Sequence, residues 1–229
     1  MNTRAELLKN KVIVVTGGNG LLGRAMIEDL KSKGAIAISA DISTATNFEN
    51  HTLQADLRTG LGIKEAVSTI IQNYQRIDGW VNNAYPRTSD WAAEFLDMTE
   101  ESLQTNVEWQ MNSYILCCQE VIRHMIHQKQ GSIVNLASIY GVVGNDFTIY
   151  ENTKMLTAAP YAAIKGGIVN FSRFLASRYG QYNVRINTVS PGGIFDHQPE
   201  QFVNAYNHKV PMKRMGNPDD IAPSVSFLL

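Results

Sequence analysis

The fold is decided by a stretch near the start of the chain, KVIVVTGGNGLLG at residues 11–23. Its first half, KVIVVTG (11–17), is an unbroken β-branched run, which is typical of a strand buried on both faces. Apolar residues then recur at helical spacing from Leu21 to Lys33, and Gly34 follows as a helix stop. A strand, a glycine-rich turn and a helix are therefore predicted in direct succession.

The same alternation of short apolar runs and helical patterns continues along the chain. Further strands are predicted at 35–41, 53–55, 77–84, 131–138 and 183–190, and further helices at 62–74, 100–128 and 161–180. Strands separated by helices indicate crossover connections, and hence a parallel sheet covered by helices on both faces. We expect residues 1–229 to form one α/β domain, a Rossmann-like, doubly wound sheet in a three-layer α/β/α arrangement.

Composition and charge argue against several classes of protein. A net charge of −1 over 229 residues gives no electrostatic reason to expect nucleic acid or an anionic membrane as partner. No apolar run approaches the roughly 20 residues needed to cross a bilayer, and no signal-peptide core is visible. Cys117 and Cys118 are adjacent, and no cysteine–histidine spacing resembles a zinc site. We therefore predict a cytoplasmic protein without a metal site.

The glycine-rich turn TGGNGLLG (16–23) has the spacing of a dinucleotide-binding loop. Gly17 can take the tight turn, Gly20 lets the backbone approach a pyrophosphate, and Gly23 allows close packing of helix against strand. The N-terminus of the helix then offers free N–H groups and a partial positive charge to the phosphates. The residues expected at the cofactor from this turn are Gly17, Asn19, Gly20, Leu21, Leu22 and Gly23.

An acidic residue ends the second predicted strand. Asp41 lies 18 residues beyond Gly23 and is followed by Ile42, and both are expected to contact the cofactor. A carboxylate there can accept hydrogen bonds from the adenosine ribose hydroxyls and would repel a 2′-phosphate. No Arg or Lys lies beside it in ADISTATN. We therefore predict NAD in preference to NADP, with a solvated strand-end acid as the structural alternative.

Further motifs in fixed order make the whole chain resemble the short-chain dehydrogenase/reductase family. They are ADL (55–57), NNA (82–84), LAS ending at Ser138, YAAIK (161–165) and VRINTVSPGG (184–193). The resemblance implies a catalytic tetrad of Asn112, Ser138, Tyr161 and Lys165. It also implies that Asp56 and Leu57 lie against the adenine, that Asn83 and Ala84 form the cofactor floor, that Tyr161 and Lys165 contact the cofactor as well, and that Pro191, Gly192 and Ile194 lie at the nicotinamide.

Two positions depart from the family's common pattern. Leu21 stands where the middle glycine of TGxxxGxG would fall, with Gly20 one place earlier. The resulting TGxxGxxG spacing is more similar to that of the longer, nucleotide-sugar-modifying members. Tyr85 follows NNA where the family commonly has glycine, so we expect this side chain to shape access to the site.

The pattern Tyr-x-x-x-Lys occurs twice, at Tyr150/Lys154 and at Tyr161/Lys165. Four residues is about one helical turn, so either pair could bring a phenol beside an ammonium. An amphipathic helical pattern continues beyond Tyr161 to residue 180. The segment that contains Tyr150 instead ends at a proline, which we expect to keep the preceding Ala159 out of helical geometry. Tyr161 is therefore predicted as the acid/base.

The chemistry of the family implies a role for each of these residues. A free tyrosine has a pKa near ~10, and an adjacent Lys165 ammonium is expected to lower the pKa of Tyr161 by stabilising the phenolate. Tyr161 would then exchange a proton with the substrate while hydride passes to or from the nicotinamide. Ser138 would orient the substrate oxygen, and Asn112 would hold a water that relays protons.

The predicted function is NAD(H)-dependent hydride transfer to or from a hydroxyl or carbonyl substrate. Similarity to members in bacterial surface-glycan and flagellin-sugar pathways makes a sugar or nucleotide sugar the leading substrate class. Two alternatives are a 3-oxoacyl-thioester (acyl carrier protein) reductase and a non-catalytic dinucleotide-sensing protein. We expect substrate-pocket loops at 139–160 and 193–215, the first containing an insertion at 144–159.

Two expectations concern assembly and chain length. Family members dimerise, often on to tetramers, through helices that correspond to residues 100–128 and 161–180, so a homodimer or homotetramer is expected. A last helix is predicted to begin at Asn217-Pro218 and to end at SVSFLL with no strand after it. We therefore expect the chain to lack a C-terminal tail.

Overall fold

The apolar run at Val12–Thr16 is the centre of a parallel sheet, and every residue in it is buried. The computed structural model describes residues 7–229. Its strands are β1 (Val12–Thr16), β2 (Ile36–Asp41), β3 (Thr52–Gln54), β4 (Gly79–Asn82), β5 (Gly131–Leu136) and β6 (Val184–Val189). They are parallel and lie in the order β3-β2-β1-β4-β5-β6. This is the predicted doubly wound sheet, and all six predicted strands are confirmed to within two residues at each end.

Helices connect the strands and cover the sheet. They are α1 (Leu21–Ser32), α2 (Gly60–Tyr74), α3 (Glu100–Val107), α4 (Ser113–Gln128), α5 (Ala159–Tyr179), α6 (Glu200–Lys209) and α7 (Pro218–Leu228). A π-helical stretch, Glu108–Asn112, joins α3 to α4, so the predicted helix over 100–128 is continuous but contains a wider turn. Among residues 7–229, no helix is long and apolar enough to cross a membrane.

Alternate residues of β1 enter two separate hydrophobic cores. Val12 and Val14 pack with buried residues of α2 and α4 on one face. Ile13 and Val15 pack with α1 and α7 on the other face. Because side chains alternate along a strand, one apolar run fills both layers and fixes the sheet between them.

Two expectations about helices were wrong. Helix α6 lies inside residues 193–215, which were predicted as a pocket loop; its buried residues are Phe202 and Tyr206, about one turn apart. Helix α5 begins at Ala159, and the extended residue that precedes it is Ala158. Pro160 is buried in the first turn, where its missing N–H has no intrahelical partner to lose.

The glycine-rich turn brings β1 and α1 into direct backbone contact. Gly17 has a positive φ of 63°, and a Cβ there would lie 2.9 Å from the Ala84 Cα. A Cβ on Gly23 would lie 2.1 Å from the Gly17 carbonyl oxygen. Both clashes are with backbone atoms, so a side chain could be accommodated only by moving the turn away from the helix.

We expect Gly23→Ala to lower the free energy of unfolding by about 1–3 kcal/mol, as overpacking against fixed atoms does. Urea denaturation measures the change. Gly180→Ala is the matched control, because a Cβ at Gly180 meets nothing within 4 Å and φ is −56° there. We expect it to change the free energy of unfolding by no more than about 0.5 kcal/mol. Equal free energies of unfolding for Gly23→Ala and Gly180→Ala would contradict the close approach of Gly23 to the Gly17 backbone.

Candidate active site

A cavity of about 760 Å³ opens at the carboxyl ends of the strands. Every strand contributes a residue from its carboxyl end or from the loop that follows it, namely Gly17, Asp41, Asp56, Asn83, Ser138 and Pro191. In a doubly wound sheet the ligand crevice forms at this edge, where the strand order reverses. The volume lies within the range of cofactor and small-molecule sites in general.

Most of the predicted site residues meet in this cavity. Those that line it are Gly17, Gly20, Leu21, Leu22, Asp41, Ile42, Asp56, Leu57, Asn83, Ala84, Ser138, Tyr161, Lys165, Pro191, Gly192 and Ile194. Three others, Asn19, Gly23 and Asn112, do not line it. The cavity therefore joins the glycine-rich turn at one end to the Tyr161/Lys165 pair.

Asn19 braces the glycine-rich turn against the end of β2. Its backbone N–H donates to Asp41 Oδ2 at 3.1 Å, and its side-chain oxygen accepts from Ser39 Oγ at 3.1 Å. The other carboxylate oxygen of Asp41 accepts from the backbone N–H and the hydroxyl of Ser43. The Asp41 carboxylate is thus held at a fixed place on the cavity wall.

The glycine-rich turn has the features that a dinucleotide phosphate requires. Gly17 and Gly20 present backbone without side chains to the cavity. The N-terminus of α1 has no side-chain cap, so its first N–H groups are not occupied by a capping oxygen. Backbone N–H groups at a helix start favour an anion. The residues present therefore fit such a cofactor.

The structure does not bring the Asn112 side chain to the other three residues of the predicted tetrad. Asn112 Nδ2 donates to Glu108 Oε2 at 2.6 Å, one turn earlier. Its neighbours Trp109 and Ser113 line the cavity instead. Asn112 lies in the π-helical stretch Glu108–Asn112, and the role that the family resemblance implies for it stays a prediction.

Lys165 is buried, at 4% exposure, below the floor of the cavity. Its Nζ donates to the Leu136 carbonyl oxygen at 2.8 Å. It also lies 5.5–5.6 Å from the ring centroids of Tyr85, Tyr114 and Tyr161. Burial lowers the pKa of the Lys165 amine to about 7. The amine is therefore only partly charged at neutral pH.

Tyr161 lies one turn before Lys165 on α5, facing the cavity. Burial raises the pKa of its phenol, the nearby Ser138 hydroxyl opposes that rise, and the nearby Tyr150 phenol adds to it. The expectation that Lys165 lowers the pKa of Tyr161 is wrong for this structure. Lys165 contacts the face of the ring and donates to Leu136, so it does not offset the burial of the phenol.

An aromatic cluster surrounds Tyr161. The Tyr85 ring lies edge-on to Tyr161 and to Trp91, with centroids 5.7 and 5.8 Å apart. Such edge-to-face pairs are favourable because the ring edge is positive and the ring face negative. Tyr85 lines the cavity at the position where the family commonly has glycine. Trp91 was not identified from the sequence, since no periodic pattern surrounds it.

Some lining residues were not named from the sequence. Arg58 pairs with Asp56 at 2.8 Å and lies over the Trp109 ring; the hydrogen bond from Arg58 lowers the pKa of the Asp56 carboxyl. Six more lie within the segments predicted as substrate-pocket loops, 139–160 and 193–215, namely Tyr140, Tyr150, Met155, Phe202, Tyr206 and Met215. The sequence therefore indicated the segments but not the individual side chains.

No metal site accompanies this arrangement within residues 7–229, because no three His, Cys, Asp or Glu side chains lie together there. A family model described as short chain dehydrogenase matches residues 11–197. The chain belongs to the short-chain dehydrogenase family. It is therefore an oxidoreductase of the family's type, with a nicotinamide dinucleotide as cofactor and a small molecule as substrate.

Relatives within the short-chain dehydrogenase family are similar along nearly their whole length. "Post-translational flagellin modification protein A" of Campylobacter coli is 32% identical, over 97% of this chain and 92% of the relative. A 3-oxoacyl-[acyl-carrier-protein] reductase of Thermotoga maritima is 30% identical, over 96% and 91%. The crystal structure of a short chain dehydrogenase from Leptospira borgpetersenii with bound NAD+ has a TM-score of 0.88 at 31% identity, covering 100% of this chain and 88% of that one.

The buried amine of this short-chain dehydrogenase should make its stability depend on pH. The pKa of Lys165 is lower in the folded chain than in the unfolded one, so the unfolded chain binds more protons above pH 7. Stability should therefore rise with pH, by up to about 1.4 kcal/mol per pH unit between pH 7 and 8.5. Lys165→Met should remove that contribution, as measured by urea denaturation across this window.

Lys154→Met is the matched control, because Lys154 is the exposed lysine of the second Tyr-x-x-x-Lys pattern. In Lys154→Met the free energy of unfolding should rise with pH as steeply as in the wild type. Burial also raises the pKa of the Cys117 and Cys118 thiols, so these groups make the stability fall as the pH rises towards 9. This effect should be the same in the wild type and in both variants. An unchanged slope in Lys165→Met would contradict the lowered pKa.

Proposed function

We propose that the chain transfers hydride between NAD(H) and a hydroxyl or carbonyl group of a small molecule, with Tyr161 as the acid/base. One observation supports this most strongly: Tyr161 and Lys165 lie one helical turn apart in the cavity that begins at the glycine-rich turn. Ser138 lines the same cavity beside this pair. A redox-sensing protein would not need this pair beside a substrate-sized cavity.

The proposed cofactor contacts follow the cavity from one end to the other. Gly17, Gly20, Leu21 and Leu22 would hold the pyrophosphate with backbone N–H groups. Asp41 would accept hydrogen bonds from the adenosine ribose, beside Ile42, Asp56 and Leu57 around the adenine. The remaining proposed contacts are Asn83, Ala84, Tyr161, Lys165, Pro191, Gly192 and Ile194.

Tyr161 would exchange the proton that accompanies hydride transfer. The nicotinamide supplies or accepts the hydride when it is bound. In reduction the neutral Tyr161 hydroxyl gives its proton to the carbonyl oxygen, while Ser138 donates a hydrogen bond to that oxygen. In oxidation the phenolate must first form, and the raised pKa of Tyr161 makes that form scarce at neutral pH. We therefore expect the oxidation rate to increase with pH above neutrality.

The preference for NAD over NADP is proposed from Asp41. Its carboxylate is held by the Asn19 and Ser43 groups at the cavity wall. A 2′-phosphate beside it would be repelled. Among the cationic residues that line the cavity, Arg58 is the nearest to Asp41 in the sequence. It is paired with Asp56 instead of facing a 2′-phosphate alone. The Leptospira borgpetersenii structure, which contains NAD+, is consistent with this preference.

A sugar or nucleotide sugar is the proposed substrate class. The name of the Campylobacter coli relative, a flagellin modification protein, supports it. Reduction of a 3-oxoacyl thioester is the second candidate, supported by the Thermotoga maritima relative. A cytoplasmic location and a homodimer or homotetramer through α4 and α5 also remain predictions.

We expect Tyr161→Phe to lower turnover by about 10²- to 10⁴-fold, the usual contribution of a positioned acid or base. NADH absorbance measures turnover, with sugars, nucleotide sugars and acyl thioesters as the substrate panel. NADH fluorescence titration should show binding retained. Tyr182→Phe, a surface change, is the control. A variant that retains full turnover would overturn the assignment of Tyr161.

We expect Asp41→Asn to reduce the preference for NADH over NADPH by about 10- to 100-fold. A hydrogen bond to a charged group contributes about 1.5–3 kcal/mol, and the repulsion of a 2′-phosphate is removed as well. The ratio of kcat/KM values for the two cofactors measures the effect, with Asp97→Asn as a surface control. A wild-type protein that prefers NADPH would contradict the role of Asp41.

A further inference from the structure

Three tyrosines outside the predicted tetrad line the far end of the cavity. Tyr140 belongs to a 3₁₀ turn, Ile139–Gly141, that follows β5. Tyr150 ends a second 3₁₀ turn, Phe147–Tyr150, and Tyr206 lies on α6. All three line the same cavity as Tyr161. Tyr140 and Tyr150 belong to the segment 139–160 and Tyr206 to 193–215, so the fold brings two separate segments to one cavity.

Tyr150 shares its cavity with two other phenols. Tyr140 and Tyr161 line the same space, so a single small molecule can contact all three side chains. Burial raises the pKa of the Tyr140 phenol, and the nearby Tyr150 raises it further. Burial also raises the pKa of Tyr161, so these phenols stay neutral at neutral pH.

The segment that contains Tyr150 is fixed against α6. The Tyr150 ring packs on Phe202 with centroids 5.2 Å apart. Asp146, which caps the 3₁₀ turn through the Thr148 N–H, pairs with Lys209 at the end of α6 at 3.1 Å. The Tyr150 phenol is thus presented by a packed, ion-paired segment, so its position does not depend on a ligand.

Tyr206 is also held in place, and it retains a donor. Its hydroxyl oxygen accepts a hydrogen bond from the Gly193 N–H. Since a tyrosine hydroxyl has one proton to donate and lone pairs to accept, the Tyr206 proton remains available for another oxygen. The far end of the cavity therefore offers several O–H groups with fixed oxygens.

We propose that Tyr150, with Tyr140 and Tyr206, binds a second hydroxyl of the substrate, on the carbon next to the one that reacts at Tyr161. The proposal deepens the proposed function and rests on it. Neutral phenols both donate to and accept from a neutral hydroxyl, as a polyol requires. The rings of Tyr150 and Phe202 provide apolar faces for the C–H groups of such a molecule.

An acyl chain would fit this end of the cavity less well. It has no hydroxyl to pair with the phenols, and a site built to hydrogen-bond a substrate O–H discriminates against an analogue that lacks it. The arrangement therefore favours a polyhydroxylated substrate over a 3-oxoacyl thioester. Tyr150 is in this respect a specificity-determining residue, and Tyr161 remains the proposed acid/base.

The test compares butane-2,3-diol with butan-2-ol, which differ in the neighbouring hydroxyl. NAD-dependent oxidation of each is followed by NADH absorbance for the wild type and for Tyr150→Phe. We expect the wild type to favour the diol in kcat/KM. In Tyr150→Phe the ratio of the two kcat/KM values should fall about 10-fold, as loss of one hydrogen bond predicts. Tyr182→Phe should leave the ratio unchanged.

The other outcomes distinguish a failure of the proposed role of Tyr150 from a failure of the proposed function. Turnover of butan-2-ol without any preference for the diol overturns the role of Tyr150 and leaves the oxidoreductase function standing. An equal loss of both activities in Tyr150→Phe also overturns it, because a purely structural role lowers both alike. No turnover of either alcohol by a wild type that binds NADH counts against the proposed function, and the role of Tyr150 fails with it.

Discussion

Lys165 donates its buried amine to the Leu136 carbonyl oxygen at 2.8 Å, and the arrangement of the site depends on this contact. A buried amine without a partner would be costly, and the carbonyl at the end of β5 provides one. Three tyrosine rings around the amine add an attraction for its charged form. The contact ties α5 to β5. Ser138, two residues after Leu136, is thereby brought to Tyr161, one turn before Lys165.

The same burial sets the protonation states of the pair. It lowers the pKa of Lys165 and raises that of Tyr161, so both groups shift toward their neutral forms. A neutral phenol can give a proton. A phenolate carries a negative charge, which this buried site stabilises only weakly. In the role proposed for it, Tyr161 is therefore better prepared to protonate a carbonyl oxygen than to deprotonate an alcohol. A charge that develops on the substrate would interact strongly with the Tyr161 phenol and the Lys165 amine, because their surroundings are apolar.

The sequence predicted the parts of the molecule that follow a local pattern. The strand run at Val12–Thr16 and the glycine-rich turn led to the sheet, its cavity and most of the lining residues. Asn112 was assigned from the family resemblance, and its hydrogen bond to Glu108 in a π-helical stretch is a local detail that the sequence pattern does not reveal. Helix α6 was missed because only Phe202 and Tyr206 are fully buried in it. The pKa of Tyr161 could not be predicted, since burial is a property of the tertiary structure.

The two Tyr-x-x-x-Lys patterns differ in what surrounds them rather than in spacing. Tyr161 lies on a long buried helix with Lys165 beneath it, whereas Lys154 is exposed and does not line the cavity. Tyr150 nevertheless reaches the same cavity, because its segment packs on α6. The end of β5 and helix α5 hold the residues proposed for chemistry, and the connecting segments hold those proposed for recognition, as is usual when loops extend a rigid scaffold. Since Asp146 and Lys209 join two of these segments, a change in α6 would also move Tyr150, and selectivity would change without any change at Tyr161.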